Sequence, residues 1–177
     1  MNFKIIKKLE INGAIFGIIL GSLLHFTYHF SGNNNIVALF SAVNESVWEH
    51  TKLFFFPVLF YLFFEWRFFK NKERLLLAKV VESLFGIGFI VGFYYLYTLF
   101  ISGLFLIDIT YFILTVIFGK YLSYKIITSD YEFKGYLWLH ALTLILITIF
   151  FFVVTFIPPK LPVFKDNNTN SYGVGLN

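Results

Sequence analysis

The sequence predicts an all-α fold, a polytopic transmembrane helix bundle of five spans with the N-terminus inside and the C-terminus outside. Three observations carry that expectation. Of 177 residues, 58% are hydrophobic and 14% charged, whereas a water-soluble domain carries about 25% charged residues. Five apolar stretches follow one another, each at least about 20 residues long, the length a helix needs to cross a bilayer. The basic residues gather in alternate connections between those stretches. The same composition excludes a disordered tail, a nucleic-acid-binding domain and nearly every soluble fold. Cysteine is absent, which removes disulfides, thiolate metal sites and a Cys nucleophile.

The first span, residues 10–30, follows Lys4, Lys7 and Lys8. Its layout is that of a secretory signal, but no small-x-small site follows and Leu23-Leu24-His25-Phe26 is bulky, so it reads as a retained span. Gly13, Gly17 and Gly21 form a small-residue stripe that lets another helix approach closely, either within the chain or across a homodimer. The second span, 43–69, follows the uncharged Ser31–Asn35 connection, and Pro57 inside it predicts a kink. The third, 75–102, follows Arg67, Lys70, Lys72 and Arg74, and carries Gly88 and Gly92. The fourth, 104–128, follows the uncharged Ser102-Gly103. The fifth, 133–157, is flanked by Lys120, Lys125 and Lys134. Lipid requires each span to satisfy its own backbone, so these are helices. Positive charge on the N-terminus and on the second and fourth connections places them in the cytoplasm, in a bacterial cytoplasmic membrane. Residues 1–157 then form one bundle. Residues 158–177 form an extracytoplasmic tail that starts at Pro158-Pro159 and either lies over the outer mouth or frays.

Depth ranks the polar residues. At about 1.5 Å per residue, His25 lies ~25 Å above Lys8 and His50 ~25 Å above Arg67, with Glu49 ~27 Å and Glu45 ~33 Å up the same span. Asp108 lies ~25 Å above Lys125. Three helices thus bring ionisable groups to one level in the outer half, which is what a shared polar site needs. His25 and His29 are i,i+4 and share a helix face, a spacing at which two histidines can ligate one metal or sit side by side at the interface. Lower down, Glu82 and His140 read as an inner pair tying the third span to the fifth. Arg67, Trp66 and Lys120 read as inner-interface anchors, and Glu65 as locally paired.

The densest polar stretch is Asn44-Glu45-Ser46-Val47-Trp48-Glu49-His50-Thr51-Lys52. It supports two readings. In one it is the wet start of a helix, with Ser46 and Glu49 as a capping box and Trp48 as an anchor. In the other it lines a functional pocket, with Glu45, Glu49 and Ser46 as catalytic groups beside metal ligands drawn from His25, His29, His50 and Asp108.

This stretch, with Pro57 downstream and the ending Pro158-Pro159-x-x-Pro162-x-Phe164-x-Asp166 then Tyr172-Gly173, resembles the signature of an uncharacterised family of small bacterial integral membrane proteins. His25 also matches. The resemblance covers nearly the whole chain and implies a membrane protein without implying a chemistry. A thinner resemblance rests on Ser46-x-x-x-His50, His25-x-x-x-His29 and Asp108. That residue set is similar to the one in the alkaline-ceramidase and adiponectin-receptor superfamily of seven-helix zinc-dependent hydrolases. The order of the motifs and the number of helices differ here, so it implies at most a convergent zinc site.

Three functions follow as expectations. The first is an intramembrane metal-dependent hydrolase or transferase, with zinc as the cofactor. It would act on a lipid or lipid-linked substrate in the outer half of the bilayer, with Glu45 or Glu49 as general base and Ser46 orienting water. The second is a non-enzymatic membrane interaction or accessory protein. The third is a small transporter that dimerises through Gly13, Gly17 and Gly21. No feature points to nucleic acid.

Overall fold

A computed structural model describes residues 2–101, 104–130, 135–166 and 168–175. The Ser102-Gly103 connection, the start of the fifth span at Phe133, and Lys134 lie outside the described residues. The described chain is all-helical: α1 (Phe3–Phe30), the short α2 (Asn35–Ala38), α3 (Val47–Glu65), α4 (Lys72–Thr98), α5 (Phe105–Thr128), α6 (Leu137–Phe156) and a 3-10 turn at Pro162–Phe164.

Four helices, α1, α4, α5 and α6, are long and apolar enough to cross a membrane. Their outward faces are what lipid requires. On α1, Ile11, Ile15, Ile19, Leu23 and Phe26 form an exposed ladder, and on α6 Leu142, Ile145, Ile149 and Val153 do the same. The expected second span differs. It shrinks to α3, which carries Glu49, Lys52 and Glu65 and is buried along most of its length, whereas α6 buries Leu144, Phe151, Val154 and Thr155. The charges on α3 are tolerated because the helix sits among other helices rather than against lipid.

Helix ends follow local chemistry. α1 starts at Phe3, well before the apolar stretch, because Asn2 caps it by accepting from the Lys4 N–H. Lys4, Lys7 and Lys8 are exposed along its first turns without breaking the helix. Gly32 (φ 69°) and Asn33 (φ 62°) take the left-handed conformation that ends it. α3 starts at Val47 rather than residue 43, because Ser46 accepts from the Glu49 N–H (3.3 Å) and Asn44 Oδ1 accepts from the Ser46 N–H (2.9 Å). Asn71 caps α4 through the Arg74 N–H (2.9 Å).

The glycine stripe of α1 is spent inside the chain. A Cβ on Gly13 would meet the Tyr61 ring at 2.7 Å, one on Gly17 would meet Val116 at 3.3 Å, and one on Gly21 would strike the Leu53 carbonyl oxygen and meet Phe112 at 2.7 Å. The last contact has a cause in α3, which runs without interruption through Pro57. Proline has no N–H, so the carbonyl four residues earlier, Leu53, loses its helical donor. Gly21, with no Cβ, lets the α1 backbone close over that oxygen. Gly86 and Gly119, which the sequence did not mark, make room for the Phe54 ring from two sides. Gly88 and Gly92 face open space.

The tail folds back over the end of the bundle where α1 and α6 finish. Phe164 is buried with its ring 5.2 Å from that of Trp48. Val174 N–H donates to the Thr155 carbonyl (3.3 Å), and Asn44 Nδ2 donates to the Gly173 carbonyl (2.9 Å). Asp166, itself buried, accepts from the Asn168 N–H and the Thr169 hydroxyl, both at 2.8 Å, and so closes the turn.

Candidate functional site

The N-cap of α3 decides the site around His25 and His50. Because the helix starts after Ser46, Glu45 stands in the preceding loop and escapes the helical wheel that would align it with Glu49. The two acids therefore point to different places. Glu45 reaches the histidines, with Oε2 3.4 Å from His50 Nε2 and Oε1 3.8 Å from His25 Nε2. The His25 and His50 rings lie 5.3 Å apart, centre to centre. One ligand atom from each of His25, Glu45 and His50 falls within 4.8 Å of the other two. Three segments contribute: the C-terminal turns of α1, the loop, and the first turn of α3.

His50 Nδ1 lies 2.8 Å from the Ser46 carbonyl oxygen. A carbonyl has no proton to give, so Nδ1 carries a hydrogen; Nε2 faces Glu45 and His25, donating to the Glu45 carboxylate when the ring is protonated and presenting a lone pair when it is neutral. A backbone acceptor on one nitrogen, orienting the other, is the usual arrangement around a metal-binding imidazole. Glu45 is about half exposed. Its hydrogen bond with His50 holds its carboxyl below the usual carboxylate range, against the opposing effect of burial.

The other residues marked from the sequence stand around this triad. His29 lies one turn beyond His25, exposed, with its ring against Tyr28 at 5.4 Å, and it is not part of the triad. Asp108 on α5 is an electrostatic neighbour of His50 and accepts a hydrogen bond from the Tyr97 hydroxyl at 2.5 Å. Ser46 serves through its backbone and its cap: its hydroxyl holds the Glu49 N–H and its carbonyl holds His50.

Glu49 turns inwards. Its Oε2 lies 2.6 Å from Lys52 Nζ and accepts from the Val43 N–H at 3.0 Å. Lys52, completely buried, also donates to the carbonyls of Ala38 (3.0 Å) and Ser41 (3.4 Å). This pair pins the α2–α3 connection onto the bundle. Trp48 packs against Phe150, Phe151 and Phe164 at ring separations of 5.3, 5.0 and 5.2 Å. The polar stretch is thus divided: Asn44, Trp48, Glu49 and Lys52 hold loop and tail, while Glu45 and His50 face His25.

At the opposite end, Glu82 meets Lys79 and Lys120 rather than His140. Lys120 is buried instead of anchoring at the interface, and Glu65 pairs with Lys79 on another helix. Glu10 joins them. The sequence signal for this group is five charges within about 12 Å of the basic ends of four helices, but Glu65 reads as locally paired, Glu82 as the partner of His140 and Lys120 as an anchor. Arg67 and Trp66 do sit at the periphery, with Arg67 over the Phe64 ring at 5.4 Å and Lys72 over Trp66 at 4.7 Å.

A family model described as a family of unknown function, DUF6512, matches residues 1–174. The chain belongs to that family, in keeping with the uncharacterised family its sequence resembles. Comparison with curated proteins and with solved structures gives no match.

Proposed function

We propose that this member of a family of unknown function is a membrane-embedded metal-dependent hydrolase or transferase whose centre is formed by His25, Glu45 and His50. In this reading α3 is a fifth span sheltered by the others, the N-terminus is cytoplasmic, and the centre faces the outer half of the bilayer of a bacterial cytoplasmic membrane. There a lipid or lipid-linked substrate can reach it laterally. The observation that carries the reading is the convergence of three ligand atoms, from three separate segments, within 4.8 Å. Two imidazoles and a carboxylate suit zinc and leave a coordination position open, as catalytic sites require. Bound there, the metal would supply a water of lowered pKa and a Lewis acid. With Glu45 among the ligands and Glu49 committed to Lys52, Asp108 is the remaining sequence-marked acid near the centre. The reading gives it the role of proton acceptor, oriented by Tyr97.

The test is metal binding by the detergent-purified chain. About one zinc per chain is expected, exchangeable for Co(II) with visible absorption in the tetrahedral range. His25→Ala and His50→Ala should weaken binding by at least about 100-fold, the upper range for losing a mere outer-shell partner, while His29→Ala should bind like wild type. A chain that takes up no metal, or a His50→Ala variant that binds normally, refutes the centre. A second reading, a non-enzymatic accessory protein, is favoured by the commitment of Asn44, Trp48, Glu49 and Lys52 to holding loop and tail. It predicts a rigid outer surface and no metal.

A further inference from the structure

The end of the bundle away from the histidines holds a second polar constellation. Along α1, Glu10 lies ~22 Å below His25. The group draws on four helices: Glu10 on α1, Tyr61 and Glu65 on α3, Lys79 and Glu82 on α4, Lys120 and Ser123 on α5. Glu65, Lys79, Glu82 and Ser123 are completely buried, and Glu10 and Lys120 nearly so. Lys79 Nζ lies 2.8 Å from Glu65, 3.1 Å from Glu82 and 3.4 Å from Glu10. Lys120 Nζ lies 3.0 Å from Glu82 and 3.8 Å from Glu10, and 5.0 Å above the Tyr61 ring. The Ser123 hydroxyl donates to Glu10 (2.8 Å) and accepts from Lys79 (3.1 Å).

Three carboxylates face two ammonium groups. An uncompensated charge in a dry interior is costly, and a buried acid relieves it by taking a proton. The geometry indicates which acid. Glu10 and Glu82 each touch both lysines, while Glu65 touches Lys79 alone. Buried Glu10 Oε2, Glu82 Oε1 and Glu65 Oε1 all lack a hydrogen bond among the described residues, but the first two face Lys120 at 3.8 and 3.0 Å whereas Glu65 Oε1 faces no lysine. Tyr61, one turn earlier, spends its hydroxyl on the Leu9 carbonyl (2.9 Å).

We infer that this cluster is a proton-binding site that holds one exchangeable proton on Glu65 at neutral pH, so that three acids and two lysines are electrically neutral. A metal cation is the weaker occupant, because the two ammonium groups already stand between the carboxylates. Ionisable groups kept in a bundle interior are the usual means by which membrane proteins hold and pass protons. The inference does not depend on the outer centre binding metal.

The test is infrared difference spectroscopy on the full chain in detergent, treated with chelator, with pH steps in H2O and D2O. At pH 7 the wild type should show the C=O stretch of a protonated carboxyl that shifts in D2O, and Glu65→Gln should lack it. Lys120→Met removes one ammonium and should recruit a second proton, roughly doubling the band. Exchange of choline chloride for sodium chloride should leave the band unchanged. A wild type without the band at pH 7, a band of equal size in Glu65→Gln, or loss of the band on adding sodium overturns the inference. The wild-type and Lys120→Met arms stand even if Glu65→Gln does not fold.

Discussion

Replacing Lys52 by methionine separates the structural half of the Asn44–Lys52 polar stretch from the half that faces His25. The methionine keeps most of the length and volume, so the change is loss of charge and of three donated contacts, not a cavity. Glu49 is left as a buried carboxylate with the Val43 N–H as its remaining hydrogen-bond donor, and the Ala38 and Ser41 carbonyls each lose theirs. Breaking a buried ion pair costs about 3–5 kcal/mol. For a chain of this size each kcal/mol moves the melting temperature by about 2–4 °C, so a 4 kcal/mol loss lowers it by roughly 8–16 °C. Glu49→Gln should lose a comparable amount. The double variant should lose clearly less than the sum, with a coupling of about 2 kcal/mol or more. Thermal unfolding in detergent, followed by the fluorescence of Trp48 and the other tryptophans, reads all three variants. If Lys52→Met melts within about 2 °C of wild type, or the two changes simply add, the pair does not hold the loop. Glu49 would then return as a candidate proton acceptor at the histidine site.

Three further outcomes are expected. Gly21→Ala drives a methyl into the Leu53 carbonyl and Phe112 and should cost about 1–3 kcal/mol, whereas Gly88→Ala, in open space, should be neutral or slightly stabilising; equal melting temperatures would count against close α1–α3 contact. Glu45 has a carboxyl pKa depressed by folding, so its contribution is present above the usual carboxylate range and is lost as pH falls through the depressed value. The melting-temperature gap between wild type and Glu45→Gln should therefore narrow in acid, and a gap that widens there contradicts the His50–Glu45 contact. Phe164→Ala empties the place under Trp48 and should cost roughly 3 kcal/mol while speeding limited proteolysis of the tail; unchanged cleavage would mean the tail does not dock.

How far the sequence could be read depends on the residue. His25 and His50 were placed at one level by helix rise alone, and the structure sets their rings 5.3 Å apart. The same reasoning put Asp108 at that level, where it lies near His50 but pairs with Tyr97. A helix running from residue 43 would align Glu45 with Glu49, but the cap at Ser46 leaves Glu45 outside the helix. Glu65 reads as locally paired and Lys120 as an interface anchor, because each lies within a turn or so of basic residues that end its helix. Nothing in one dimension says that a charge near a helix end turns towards three other helices.

The sequence by itself determined that this chain is built of apolar helices, and where most of them run, because the cost of exposing backbone and charge to lipid is local and additive along the chain. It also supplied the capping residues that start α3 where it starts. Only the tertiary structure decided which charges meet. It gathered Glu10, Glu65, Glu82, Lys79 and Lys120 into one buried cluster, and turned the α1 glycines towards Tyr61, Val116 and Leu53. Pairing across helices depends on their rotation and register, which neither composition nor spacing within one helix records.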